Sequence, residues 1–310
     1  MCCLFGVIDR NHFFSGNRLS KIVQALAVAA ECRGTDAAGI AYNKAKHLCV
    51  YKRPAPAHAL RFCIPDRTSV VMGHTRMATQ GDQHDNHNNH PFLGKVDSGP
   101  YALAHNGVIW NDVELRKMRH LPDTEIQTDS YIAVQLIDHK RTLDFSSLKE
   151  MAETVKGSFT FTILDQYNRL YIIKGDNPFC LYHWRALGIY LYASTEQVLK
   201  SALKKLHLRL GSPQKISLEC GDILCIDEFG RRKEAKFHPP ERLHDLRYGC
   251  QWDFPVPVWR GQDCADEMEY FNDLKSIAAY YGIDGATIEK LWRQGFSLDE
   301  LEEMLYTGEI

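Results

Sequence analysis

A chain that opens Met1-Cys2-Cys3-Leu4-Phe5-Gly6 offers chemistry at its second residue that an internal cysteine cannot. Removal of Met1 would leave Cys2 with its thiol and a free α-amine on one Cα. The thiolate is a strong nucleophile, and an α-amine titrates near pH ~8, so it can accept the thiol proton near neutrality. Nucleophile and base would then come from a single residue. The competing reading is an ordinary core cysteine at the start of a strand, since free cysteine is usually buried.

Four further clusters bear on that choice. Arg33-Gly34-Thr35-Asp36-Ala37-Ala38-Gly39 can shape a loop between a helix and a strand, or be a plain connection. Gly73-His74-Thr75-Arg76, followed by Met77-Ala78-Thr79-Gln80-Gly81, puts a guanidinium at a strand end. Arginine suits bidentate capture of a carboxylate, and a structural ion pair is the plainer use. In His105-Asn106-Gly107, a side-chain amide precedes a glycine N–H, two donors that could meet an oxyanion. The same Asn-Gly pair is also a strong tight-turn signal. Asp129, in Thr128-Asp129-Ser130, could cap a helix or bind a substrate ammonium.

These residues need elements to hold them. A strand is expected at 3–9, with Cys3 facing away from Cys2. A helix follows, with Leu19, Ile22, Val23, Leu26 and Ala30 at helical spacing, Asn17 as a cap and Gly34 as a stop. Strands are expected at 38–43, 47–53 and 69–75, and a loop or short helix at 55–59. The His/Asn-rich stretch 79–100 reads as a long functional loop, and 101–105 as a strand ending in the Asn106-Gly107 turn. Helices at 112–119, 129–139 and 146–156 lead into strands at 158–164, 169–174, 179–183 and 188–193. A helix at 195–206 and strands at 214–218, 222–228 and 231–237 follow, the last two joined through Phe229-Gly230. Strands and helices come in blocks, which points to antiparallel sheets with helices outside them.

Pro239-Pro240 marks a boundary. The expected division is a main domain over 2–237, an extended aromatic segment over 238–262 that includes Trp252 and Trp259, and a small helical extension over 263–310. Helices are expected there near 264–281, 285–294 and 298–306, with Ser297-x-x-Glu300 as a capping box and Gly295 as a stop. From Asp284 to Ile310, seven acidic residues stand against Lys290 and Arg293.

The chain has 310 residues, 45% of them apolar, and a formal net charge of −2. With no basic stripe it fits neither nucleic acid nor an anionic membrane surface. Apolar runs are too short for a membrane span, and Asp9-Arg10-Asn11 interrupts any signal-peptide core. A cytoplasmic protein is expected. None of its ten cysteines forms a C-x-x-C pair, so reduced thiols are expected, most of them in the core.

Together the motifs resemble the glutaminase domain of class II glutamine amidotransferases, as found in glucosamine-6-phosphate synthase and amidophosphoribosyltransferase. The resemblance rests on Cys2–Gly6, on R-G-x-D-x-x-G at Arg33–Gly39, and on H-T-R-x-A-T-x-G at His74–Gly81. N-x-H-P at Asn88–Pro91, H-N-G-x-I-x-N at His105–Asn111 and T-D-[ST] at Thr128–Ser130 complete the order, and later strand-turn elements at Lys174–Pro178, Ala193-Ser194 and Glu219–Ile223 also look familiar. It covers about residues 2–235. Departures are Met77 where the family often has Trp, Gln80 where it often has His, and Ser130-Tyr131 where it often has Glu.

The resemblance implies an α+β fold, the four-layer αββα sandwich of N-terminal nucleophile hydrolases. It implies catalytic roles for Cys2, Asn106 and Gly107, substrate contacts from Arg76, Thr79, His90 and Asp129, and structural roles for Arg33, Gly34, Asp36, Gly39, His74, Gly81 and His105. L-glutamine is the implied substrate, with Arg76 on its α-carboxylate, Asp129 on its α-ammonium, and a γ-glutamyl thioester on Cys2. No cofactor or metal is expected. The ammonia acceptor is expected on a separate protein, because about 75 residues after 235 are too few for either relative's second half. Two alternatives are a catalytically silent glutamine-binding scaffold that keeps Met1, and a metal-dependent hydrolase using His84, His87 and His90.

Overall fold

The computed structural model describes residues 2–208, 210–239, 271, 274, 275, 278, 279, 282–294 and 298–307. The chain divides into two compact units, residues 1–242 and 243–310. The expected segment over 240–262, the start of the first tail helix at 264–270, and the Gly295 and Ser297 helix signals lie outside the described residues.

Two antiparallel sheets build the first unit. One has seven strands in the order β11 (Gln214–Ile216), β9 (Cys180–Trp184), β10 (Ile189–Ala193), β1 (Cys3–Asp9), β4 (Val70–Arg76), β2 (Ala37–Lys44), β3 (His47–Arg53). The other has six: β13 (Arg232–Lys236), β12 (Asp222–Ile226), β8 (Leu170–Lys174), β7 (Gly157–Asp165), β6 (Gly99–Ile109), β5 (Phe92–Val96). The two-residue period of a strand separates three apolar layers. In β1, Leu4 and Ile8 point between the sheets, where they meet Met72, Ala102, Ala104, Ile172 and Tyr192. Cys3, Phe5 and Val7 point outward to α1 (Gly16–Ala29) and α5 (Glu196–Leu206). On the second sheet, Leu103, Phe161 and Ile173 pack under α3 (Tyr131–Lys140) and α4 (Phe145–Thr154). Each fully buried side chain of this kind stabilises by roughly 1.5–3 kcal/mol. Helix, sheet, sheet, helix is the expected four-layer αββα sandwich.

Most elements fall where the periodicity puts them, and four do not. Ser15, not Asn17, caps α1, its Oγ accepting the Arg18 N–H at 3.3 Å. The stretch 79–100 is not one loop: it contains a 3₁₀ turn at Asn86–Asn88 and strand β5. Asn106-Gly107 is no turn, for β6 runs straight through it and pairs with β7 from Tyr101↔Asp165 to Ile109↔Gly157. Nine paired positions outweigh a two-residue turn preference. Asp129 is not the cap of α3, whose N-cap is Ser130, with no side-chain cap bond; the Asp129 carboxylate is engaged elsewhere.

In the second unit, α6 (Gly285–Arg293) is capped by Asp284, whose Oδ1 accepts the Ala286 N–H at 3.1 Å. It shares a core with α7 (Leu298–Thr307), built from Phe271, Leu274, Ala278, Ile288, Leu298, Leu301 and Leu305.

Candidate active site

β1 is the middle strand of the seven-stranded sheet, between β4 and β10, with Cys3 opposite Thr75 and Leu4 opposite His74. Cys2, one residue before the strand, therefore lies at the same sheet end as Arg76. Arg33 Nε donates to the Cys2 carbonyl at 3.2 Å, which holds the start of the chain against the turn after α1. The Cys2 Sγ donates to the Met77 carbonyl at 3.5 Å. Desolvation raises its thiol pKa, while the Met77 contact, the terminal ammonium and Arg76 pull it down and Asp129 pushes it up. Cys2, Arg76 and Asp129 thus share one electrostatic neighbourhood. Processing would place the terminal ammonium on Cys2 itself, on the same Cα as the thiol, where it favours the thiolate.

The segment around Arg76 is shaped by the first glycine motif. Asp36 donates its N–H to the Arg76 carbonyl at 3.0 Å and accepts the Ala78 N–H on Oδ2 at 2.7 Å. A Cβ on Gly34 would fall 2.5 Å from the Arg76 backbone, and one on Gly39 would fall 2.3 Å from the His90 carbonyl. Both glycines are therefore demanded by close backbone approach. The Arg76 guanidinium is buried and donates to Asn89 Oδ1 at 2.7 Å, the Gln80 carbonyl at 2.5 Å and the Gly81 carbonyl at 3.3 Å. Burial lowers its pKa, and Cys2, Asp36, Asp129 and Asp82 act against that.

Asn106 reaches the same region from the second sheet. Its Nδ2 lies 3.4 Å from Ser194 Oγ, which also accepts the Leu4 N–H at 2.9 Å, and Ser194 N–H donates to the Leu4 carbonyl at 2.8 Å. Ser194 therefore bridges β1 to Asn106. Asn106 Oδ1 is buried with no hydrogen-bond partner among the described residues. Gly107 has φ +141°, and a Cβ there would lie 1.9 Å from the Ser158 carbonyl.

Asp129 accepts the Ile109 N–H on Oδ2 at 2.6 Å and the Ser130 hydroxyl on Oδ1 at 3.3 Å. The Ser130 Oγ is 2.8 Å from His105 Nδ1. With that hydroxyl donating to Asp129, the imidazole supplies the N–H. His74 Nε2 lies 2.9 Å from the His105 carbonyl and so ties the two sheets together. His90 packs between His74 and Phe92, at 4.2 and 4.4 Å between ring centres, with neither ring nitrogen partnered among the described residues. Burial pushes the His74 imidazole down to about 3, and burial also depresses His90 and His105, the last against the raising charge of Asp129.

Cys2, Arg76 and Asp129 are thus gathered, and Asn106 is joined to them through Ser194 and β1. Gly107 follows Asn106 in the same strand. His90 is buried behind the Arg76 loop, and Thr79 is exposed and makes none of these contacts. His84 and His87 are exposed while His90 is buried, and among the described residues no three His, Cys, Asp or Glu side chains are placed to hold a metal. Three contributors escape a reading of residue types: Ser194, Asn89 and the Met77 carbonyl. Ser194 stood only in a strand-turn motif, and Asn89 and Met77 only at the variable positions of theirs. None of the eight cysteines among the described residues is in a disulfide. No helix among the described residues is long and apolar enough to cross a membrane.

A family profile described as a glutamine amidotransferase domain matches residues 74–201. Glutamine–fructose-6-phosphate aminotransferase (isomerizing) of Bacillus cereus is 34% identical over 157 residues, which is 48% of this chain and 26% of that protein. The same-named protein of Lactococcus lactis is 32% identical over 189 residues, 57% of this chain and 30% of its own length. Glutamine phosphoribosylpyrophosphate amidotransferase from B. subtilis shares the fold, with a TM-score of 0.60 at 21% identity over 76% of this chain and 49% of that one. The chain thus spans under a third of the first two relatives and about half of the third. Motif order, four-layer sandwich and these matches agree in likening residues 74–201 of this chain to a glutamine amidotransferase domain.

Proposed function

We propose that this chain hydrolyses the side-chain amide of L-glutamine and releases ammonia for transfer. The observation that carries the reading is the shared neighbourhood of Cys2, Arg76 and Asp129 at one end of β1. A thiol, a cation and a carboxylate match the amide carbon, the α-carboxylate and the α-ammonium of one small substrate. In this proposal the α-amine of processed Cys2 takes the thiol proton. The thiolate attacks the amide carbon, a C–S bond forms, and the carbonyl oxygen gains charge. Asn106 Nδ2 and the Gly107 N–H meet that charge. The C–N bond breaks, the leaving nitrogen takes the proton, and ammonia departs. Water then cleaves the γ-glutamyl thioester, giving glutamate and the free thiol. The acceptor is assigned to a separate protein or domain, to be recognised by raised glutamate release when it is added.

Intact mass and a glutamate-release assay test this together. The active protein is expected to lack Met1, and Cys2→Ala to lose at least about a thousandfold in turnover. Full activity with Met1 retained, or from Cys2→Ala, would overturn it.

A further inference from the structure

All three acceptors of the Arg76 guanidinium, Asn89 Oδ1 and the Gln80 and Gly81 carbonyls, lie on the segment 80–89. The direction in which Arg76 presents its remaining N–H groups therefore depends on how that segment is held. Asn89 is fully engaged. Its Oδ1 takes Arg76, its Nδ2 donates to the Gln83 carbonyl at 2.9 Å, and its own carbonyl accepts from Lys52 Nζ. Lys52 lies on β3, the edge strand of the seven-stranded sheet, and its own carbonyl accepts the Asn86 Nδ2 at 3.0 Å. It is thus tied to the segment twice, through side chain and backbone.

The Lys52 ammonium is held over the Phe92 ring, 5.0 Å from its centre, and among the described residues it forms no ion pair. Withdrawing an ammonium from water without a paired carboxylate is costly. A methionine would cover Phe92 equally well, since the four-carbon stem does the packing. What the charge adds is a strong donor aimed at one carbonyl, that of the residue that orients Arg76.

We infer that Lys52 is a positioning residue for substrate carboxylate recognition, fixing Asn89 and through it the Arg76 guanidinium. This inference rests on the glutamine-hydrolysing reading. Burial lowers the Lys52 pKa to about 8; the charges facing it are Asp85, which opposes the drop, Arg76, which adds to it, and His90, buried and neutral. The grip is therefore strongest below pH ~8 and weakens as Lys52 loses its proton above it.

The test measures glutamate release by the processed protein, with L-glutamine binding to Cys2→Ala followed by calorimetry. Lys52→Met is expected to raise KM, and the Kd measured in the Cys2→Ala background, about tenfold with kcat within about twofold of the parent. Lys52→Arg is expected to recover most of that loss and to remove the parent's rise in KM as pH passes through about 8. Asn89→Ala should give the same split, and the double variant should add little to either single change. An unchanged KM in Lys52→Met, with the parent active, would overturn the inference alone. So would a fall in kcat matched by lost thermal stability, which would make Lys52 merely structural. Failure of Cys2→Ala to bind L-glutamine, with an inert parent enzyme, would remove the glutaminase reading and this inference with it.

Discussion

Asn106→Ala separates catalysis from stability at one buried side chain. The Nδ2 contact to Ser194 Oγ, at 3.4 Å, is long, so its loss sits at the low end of the ~0.5–1.5 kcal/mol of a neutral hydrogen bond. Ser194 keeps its shorter bond to the Leu4 N–H at 2.9 Å. Against that loss, Asn106 Oδ1 is buried without a partner among the described residues, and such an orphan costs about 1–3 kcal/mol. Truncation removes the orphan along with the donor. The orphan's removal is offset by the lost donor contact and by the small cavity that the truncated amide leaves, and folding stability should move by no more than about 1 kcal/mol, a Tm change of roughly 2–4 °C for a domain of this size. The transition state has no such compensation. Loss of one oxyanion donor costs about 10²–10³ in kcat, or roughly 2.7–4 kcal/mol. Steady-state glutamate release and a thermal melt on the same preparation therefore read two different magnitudes. Asn106→Asp, of the same shape but with a negative charge in place of the donor, should be slower still. A tenfold rise in KM with kcat unchanged would move Asn106 into ground-state binding and refute the oxyanion assignment.

Gly107→Ala should fail structurally: the new Cβ would lie 1.9 Å from the Ser158 carbonyl at φ +141°, a cost of about 3 kcal/mol or more that a lowered Tm or loss of soluble protein would register. The three buried imidazoles predict acid sensitivity. His74, His90 and His105 are held neutral by burial, His74 with a pKa near 3, whereas in the unfolded chain each takes a proton below about pH 6.5. The unfolded state then binds more protons, so stability falls as pH drops below about 6.5, by up to roughly 1.4 kcal/mol per unit for each histidine that stays neutral in the fold. Urea titrations at stepped pH should show that slope, and His90→Phe should shrink it. An unchanged slope would mean His90 is already charged in the fold.

Local pattern was enough for β1, α1 and the block of hairpins from β7 to β10, because each has a buried face that its own period reveals, whereas the four-layer arrangement came from the family resemblance. It failed where a partner distant in sequence decides. Asn106-Gly107 has the composition of a turn, yet β7 recruits it into the middle of β6. Phe92–Val96 alternates buried and exposed, but glycines and polar neighbours mask so short a strand. At the site, residues bearing reactive groups announced themselves: Cys2, Arg76, Asn106 and Asp129. Those acting through a carbonyl, a hydroxyl bridge or a tether did not. Lys52 lies 37 residues before Asn89, and Ser194 lies 190 residues after Leu4; no spacing rule links such pairs.

The central place of β1 also sets an order of events during synthesis. Its neighbour β10 ends at Ala193, so β1 cannot acquire both flanks until more than a hundred and eighty further residues have been made. Pairings so remote along the chain close slowly. Only when β10 docks does Cys2, at the head of β1, take its finished surroundings.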